Sequence, residues 1–118
     1  MTAAVAQGRH GPPGLAPAAT YREVAALFGA LADPTRMAIV HALSVREACT
    51  NELAAIVGVT ESGVSQHLRI LRALRLAKAR RAGKYVYYTL DDAHVAALLH
   101  MALTHHGHTA QASEAARA

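Results

Sequence analysis

TNELAAIVGVTESGVSQHLRILRALRLAKARRAGKYVYYTL, residues 50–90, decides the fold. Thr50 reads as the cap of a short helix, Asn51 to Val57, with Leu53 and Ile56 facing inward. Gly58 stops that helix, in the position glycine prefers after a helix end. Val59 is then a candidate for a buried turn. Thr60 caps a second helix, Glu61 to about Leu74, and Glu61 in its first turn suits the helix dipole. Val64, Leu68, Leu71 and Leu74 recur at helical spacing as an apolar stripe, while Ser62, Ser65, Gln66, Arg69 and Arg72 lie opposite. A short helix, a glycine turn and a second helix with a polar outer face make a helix-turn-helix. The period then changes. Leu76 to Arg80 and Tyr85 to Leu90 flank Arg81-Ala82-Gly83-Lys84, and Val86, Tyr88 and Leu90 alternate with Tyr85, Tyr87 and Thr89. That is a β-hairpin with a basic tip and Gly83 in its turn. A helix-turn-helix followed by such a hairpin is a winged arrangement, mainly α with a small β-hairpin.

Upstream, Val24, Leu27, Phe28 and Leu31 predict a helix from Tyr21 to Leu31. Asp33-Pro34 marks a new start, with Asp33 as cap and Pro34 at the first helical position. That helix runs to about Leu43 and offers Met37, Ile39, Val40 and Leu43 to the core, followed by a loop around Ser44 to Ala48. A last helix spans His94 to about His106. Residues 1–19, rich in Ala, Gly and Pro, read as a flexible N-terminal arm. Residues 20–108 form one winged helix-turn-helix domain for DNA binding and dimerisation, and residues 109–118 a flexible C-terminal tail.

A chain of 118 residues, 53% hydrophobic, suits one small domain with one core. No apolar run reaches the ~18 residues that span a membrane, and residues 1–19 lack the apolar stretch of a signal peptide. The single cysteine, Cys49, excludes an internal disulfide framework and suits a reducing compartment, so a cytoplasmic location is expected. Formal net charge is +4, but its distribution says more. No acidic residue lies between Glu61 and Asp91, a stretch that holds Arg69, Arg72, Arg75, Lys78, Arg80, Arg81 and Lys84, seven of the chain's twelve Lys and Arg. A single-sign block on a structured segment points to a polyanion, and the alternative is a solvated helix face.

The second helix of the pair carries groups suited to a major groove. Ser62 and Ser65 permit close approach, Gln66 can make paired hydrogen bonds to adenine, and His67 adds a polar group. Arg69 and Arg72 are placed for phosphates, and Arg81 and Lys84 at the hairpin tip for the backbone or an adjacent minor groove. The expected partner is double-stranded DNA.

Near the C-terminus, Asp92, His94, His105 and His108 are spaced D-x-H, ten residues, H-x-x-H. His94 and His105 share a helix face to within about 20°, yet stand roughly 16 Å apart along the axis. A metal–nitrogen bond is only about 2 Å. The two pairs cannot meet on one ion within one helix, but they can if a second copy runs antiparallel. The spacing therefore predicts a symmetric homodimer with two metal sites across its interface. One carboxylate and three imidazoles suit tetrahedral Zn(II) or Co(II). Ni(II) is the competitor, and its preference for more ligands could draw on His10 or His106, with His100 a further candidate. The bland alternative is that these are solvated helix-end histidines flanking a Leu98 and Met101 dimer seam. Gly107 makes His108 the least secure of the four.

LFGALADPTRMAIVHAL followed by CTNELAAIVGVTESGVSQHLRILRALRLAKARRAGKYVYYTL resembles the ArsR/SmtB family of metal-sensing transcriptional repressors. The likeness covers about Tyr21 to His108, and DPTR, VSQHLRIL and GKYVYYTL in that order carry it. It implies a winged-helix homodimer that represses metal-resistance or efflux genes and leaves operator DNA on binding metal. The Asp92, His94, His105, His108 set looks like the last-helix site of zinc- and cobalt-responsive members. A second family site uses a CxC-type motif where this chain has Ala48-Cys49-Thr50-Asn51. One cysteine cannot build a thiolate-rich site, so Cys49 reads as a small buried residue. A zinc hydrolase is disfavoured, because four ligands close the ion and no spare carboxylate accompanies them. A metal-independent winged-helix regulator and a histidine-rich storage protein remain as alternatives, and the latter leaves the basic wing without a purpose.

Overall fold

The structure, a computed structural model, describes the backbone of residues 14–117 and side chains through Gly107. Its elements follow in the order α1 (Ala18–Leu31), α2 (Pro34–Val45), β1 (Ala48–Cys49), α3 (Thr50–Val57), α4 (Glu61–Ala73), β2 (Ala77–Ala82), β3 (Tyr85–Leu90) and α5 (Ala93–Arg117). The three strands form one antiparallel sheet in the order β1-β3-β2. This is the expected winged helix-turn-helix, mainly α with a small sheet.

Local chemistry explains where the elements begin and end. The Asp33 carboxylate accepts the Arg36 backbone N–H at 2.9 Å, and Pro34 opens α2. Gly58 adopts φ +76° after α3, the left-handed conformation that glycine takes without steric penalty. The Thr60 hydroxyl accepts the Gly63 backbone N–H at 3.0 Å and starts α4. Thr60→Ala should cost about 0.5–2 kcal/mol through loss of that cap, read as a shift in urea midpoint at unchanged slope. Arg75, at φ 59°, takes the left-handed place after α4 that usually belongs to glycine. The Leu76 backbone N–H then donates to the Leu71 carbonyl at 2.8 Å, which reverses the chain and turns Leu76 into the core at 4% exposure.

The core lies between α2, α3, α4 and the sheet. Ile39, Val40, Leu53, Val64, Leu68 and Leu71 are each less than 2% exposed, and Val95 and Leu99 bring α5 onto the same cluster. Several expected positions differ. Ile56 is 54% exposed, because Leu53, Ala54 and Val57 form the inward face of α3 and leave Ile56 past its edge. Leu74 is 38% exposed, since the chain leaves the helix there and Leu76 takes the core position instead. In α1, which starts at Ala18 rather than Tyr21, Leu31 is buried but Val24 and Phe28 face outward. The loop after α2 is shorter than expected, because Ala48 and Cys49 pair with Tyr88 and Tyr87 as a two-residue strand. Thr50 is the first residue of α3, and Cys49 holds the capping position. The hairpin turn is only Gly83-Lys84, since Ala82 still pairs with Tyr85, and Gly83 at φ +63° sits first in that turn. The backbone of α5 stays helical to Arg117 rather than ending near His106. One interior glycine costs a helix only about 1 kcal/mol relative to alanine, and no proline follows Gly107 to stop it.

Candidate nucleic-acid interface and metal-ligand helix

The polar face of α4 stands free of the body. Its inward stripe, Val64, Leu68 and Leu71, is buried, and this turns Ser62, Ser65, Gln66, Arg69 and Arg72 to solvent. A cleft of about 460 Å³ runs between this face and the sheet, with Ser65, Arg69 and Arg72 on one wall and Tyr88 on the other. His67 does not join these five residues. It is half-buried, with Nδ1 3.3 Å from Arg36 Nη1, so it faces α2. Arg36 also donates from Nε to the Ala30 carbonyl at 2.9 Å. One guanidinium thus ties the end of α1 to the middle of α4, a role that nothing in the linear spacing of DPTR signals.

Arg81 and Lys84 are exposed at the hairpin tip. Lys84 Nζ lies 5.6 Å from the Tyr85 ring centre, a cation–π contact that steadies the tip while leaving the ammonium in water. Arg80 is different from the rest of the basic block. Its Nε and Nη2 donate to the two Glu47 carboxylate oxygens at 2.8 and 2.6 Å, and its guanidinium lies 5.3 Å from the Tyr87 ring centre. This fork pins the hairpin to the segment before β1. The Arg80 hydrogen bonds hold the Glu47 carboxyl below its ordinary value of 4.5. A lowered folded-state value means that the contribution is complete above that pH and disappears as pH falls through the lowered value. Glu47→Gln should therefore flatten the acid side of a plot of melting temperature against pH, with the two proteins converging as pH falls through the lowered Glu47 value.

The expected metal ligands are all on or just before α5. Asp92 precedes its first residue, and Asp92 Oδ1 accepts the His94 backbone N–H at 2.8 Å. That bond holds the Asp92 carboxyl below its ordinary value, and His94 Nδ1 is 3.2 Å from the same oxygen. Both side chains are open to solvent, His94 at 95%. His105 is exposed eleven residues further along the same helix, and the backbone of His108 continues it. The rise of an α-helix puts His94 and His105 about 16 Å apart along the axis. Among the described residues of the single chain, no three His, Cys, Asp or Glu side chains gather closely enough to hold one ion. Asp92 and His94 thus stand together at the start of the helix, with His105 eleven residues beyond His94. The side chain of His108, and all of His10, lie outside the described residues. Cys49 is a small buried residue at 6% exposure, as expected, paired with Tyr87 in the sheet and with its backbone N–H donating to Glu52 Oε1 at 3.0 Å.

The arsR-family model of bacterial regulatory proteins matches residues 33–79. The HTH-type transcriptional regulator NmtR of Mycobacterium tuberculosis is 37% identical over 102 residues, covering 86% of this chain and 85% of that one. This chain belongs to the arsR family. A cadmium-resistance regulatory protein CadC homolog of Staphylococcus aureus is 44% identical over 70% of this chain and 69% of its own length. The transcriptional repressor SmtB homolog of Synechocystis is 51% identical over 74 residues, which span 63% of this chain and little more than half, 56%, of the Synechocystis protein. Among solved structures, apo-NmtR superposes with a TM-score of 0.68 at 38% identity, over 86% of this chain and 85% of that chain. A homodimeric winged helix-turn-helix DNA-binding domain from Mycobacterium bovis gives 0.74 at 27% identity, over 84% of this chain and 94% of that one. The arsR-family chain is accordingly a regulatory protein and not an enzyme. Among its described residues, no helix is long and apolar enough to cross a membrane.

Proposed function

We propose that the chain is a metal-responsive transcriptional repressor, a homodimer that holds palindromic operator DNA in its metal-free state and is released by Zn(II) or Co(II). The observation that carries this reading is the division of the donor set. Asp92 and His94 stand at the start of one continuous helix and His105 further along it, with His108 continuing it. A second α5 running antiparallel brings the two ends together, so that Asp92 and His94 of one copy meet His105 and His108 of the other. The apolar side of the same region supports a second copy. Phe28 and Met101 are 52% and 73% exposed, and Phe28, Met37, Leu98 and Ala102 line an apolar groove of about 250 Å³ between α1 and α5.

In the dimer, two copies of α4 enter successive major grooves about one turn of DNA apart. Ser62, Ser65 and Gln66 face the base edges, with Arg69 and Arg72 on phosphates and Arg81 and Lys84 reaching the flanking backbone. His67 holds α4 to α2 through Arg36 and contributes no groove contact. When bound, the ion supplies a link between two helices that is satisfied in only one dimer geometry. A ligand shifts a two-state balance only by its preference between the states. Asp92 follows the last residue of β3 by two positions, so a change at the α5 start reaches the wing through a very short path. The reading places the protein in the cytoplasm, controlling metal efflux or resistance genes.

Ni(II) is the second reading, favoured by the exposed His106 next to His105, which adds an imidazole for a higher coordination number. Fluorescence anisotropy with labelled operator DNA tests the proposal. Added zinc should lower affinity, and unchanged or tighter binding overturns it. Absorption spectra of the Co(II) and Ni(II) complexes separate tetrahedral from octahedral coordination.

A further inference from the structure

Two histidines outside the donor set come together from different helices. His41 on α2 and His100 on α5 meet edge to face, with ring centres 5.7 Å apart and planes at 87°. Both residues are exposed, so the contact buries little apolar surface and leaves the ring edges open to water. α2 and α5 pack on each other through the core, which fixes the two backbones that present these rings. Two imidazoles sharing one ion through metal–nitrogen bonds of about 2.1 Å, at an angle between tetrahedral and trigonal, place their ring centres roughly 5–6 Å apart. The observed separation falls in that range. Along α5, His100 lies about 120° around the axis from His94, and therefore off the stripe that carries the proposed intersubunit ligands.

We propose that His41 and His100 form a second metal site, within one protomer, for a late first-row divalent ion. Two imidazoles supply two coordination positions and water fills the rest. Imidazole favours Cu(II), Ni(II) and Zn(II), and Cu(II) is held most tightly by a given nitrogen set. The site would join α2, which belongs to the DNA-binding body, to the helix that carries Asp92, His94 and His105. It stands on the contact between the two rings, and does not depend on whether the intersubunit site exists.

Paramagnetic broadening tests it, using the untagged full-length chain with its histidine ring-carbon protons assigned. Substoichiometric Cu(II) should broaden the His41 and His100 signals together. In His41→Gln the His100 signal should stay sharp at the same Cu(II), and His100→Gln should protect His41 in return. The double variant should lose no more Cu(II) than either single one, because the two rings hold one ion. His105→Ala should leave the broadening of the pair intact. Broadening of His100 that persists unchanged in His41→Gln, or disappearance of the pair's broadening in His105→Ala, overturns the proposal.

Discussion

Zinc should weaken operator binding by the wild-type chain about 100-fold, a change of about 2.7 kcal/mol, and His105→Ala should abolish that response while keeping metal-free affinity within about twofold. The asymmetry follows from where His105 stands. It is exposed on α5 and is not one of the residues on the polar face of α4 or at the hairpin tip, so its truncation removes none of those groups and opens no buried cavity. In the proposed intersubunit site it does remove one of the two imidazoles that would meet Asp92 and His94 of the other copy. Gln66→Ala provides the contrast, because Gln66 lies on the exposed face of α4. That variant should bind operator more weakly with or without zinc, while its zinc stoichiometry stays that of the wild type. A normal zinc response in His105→Ala would place the sensing site elsewhere. Anisotropy titrations with and without zinc, at fixed salt because phosphate contacts make affinity steeply salt-dependent, measure all three proteins on one scale.

Leu71→Ala should cost about 2–5 kcal/mol of folding stability, a large share of the roughly 5–15 kcal/mol available to a domain of this kind. Leu71 is fully buried at 0% exposure and belongs to the cluster that α4 shares with α2, α3 and the sheet. Truncation loses the transfer free energy of its methyl groups and leaves a cavity that a close-packed interior fills only in part. Ile70, the preceding residue, is 41% exposed, and Ile70→Ala should change stability far less. Urea denaturation of the two variants gives the comparison. Equal losses would mean that Ile70 is covered in solution, as it would be by a partner that shields this side of α4.

Much of the fold could be read from spacing because the signals are local. Asp33-Pro34, Gly58 and Thr60 act through bonds or backbone conformations within three residues, and each does what its residue type predicts. The period-2 run from Tyr85 to Leu90 likewise became β3. What escaped is non-local or too short to repeat. The strand Ala48–Cys49 has two residues, fewer than any period requires, and exists because β3 offers it an edge. The Glu47 and Arg80 fork joins residues 33 apart in the chain, and the Arg36 and His67 contact joins residues 31 apart. Amphipathic periodicity also cannot tell a face that meets the core from one left open for another molecule, as Val24, Phe28 and Ile56 illustrate.

The division is sharpest on α5. The sequence by itself determined that His94 and His105 share one helical face and that a single helix cannot close them on one ion, since rise and period are constants of the α-helix. Only the tertiary structure decided that α5 runs unbroken past Gly107 and that His94 and Asp92 face solvent at its start. It alone placed His100 against His41 from another helix. Helix geometry is a property of the chain, whereas which side of a helix is covered depends on every other element that packs against it.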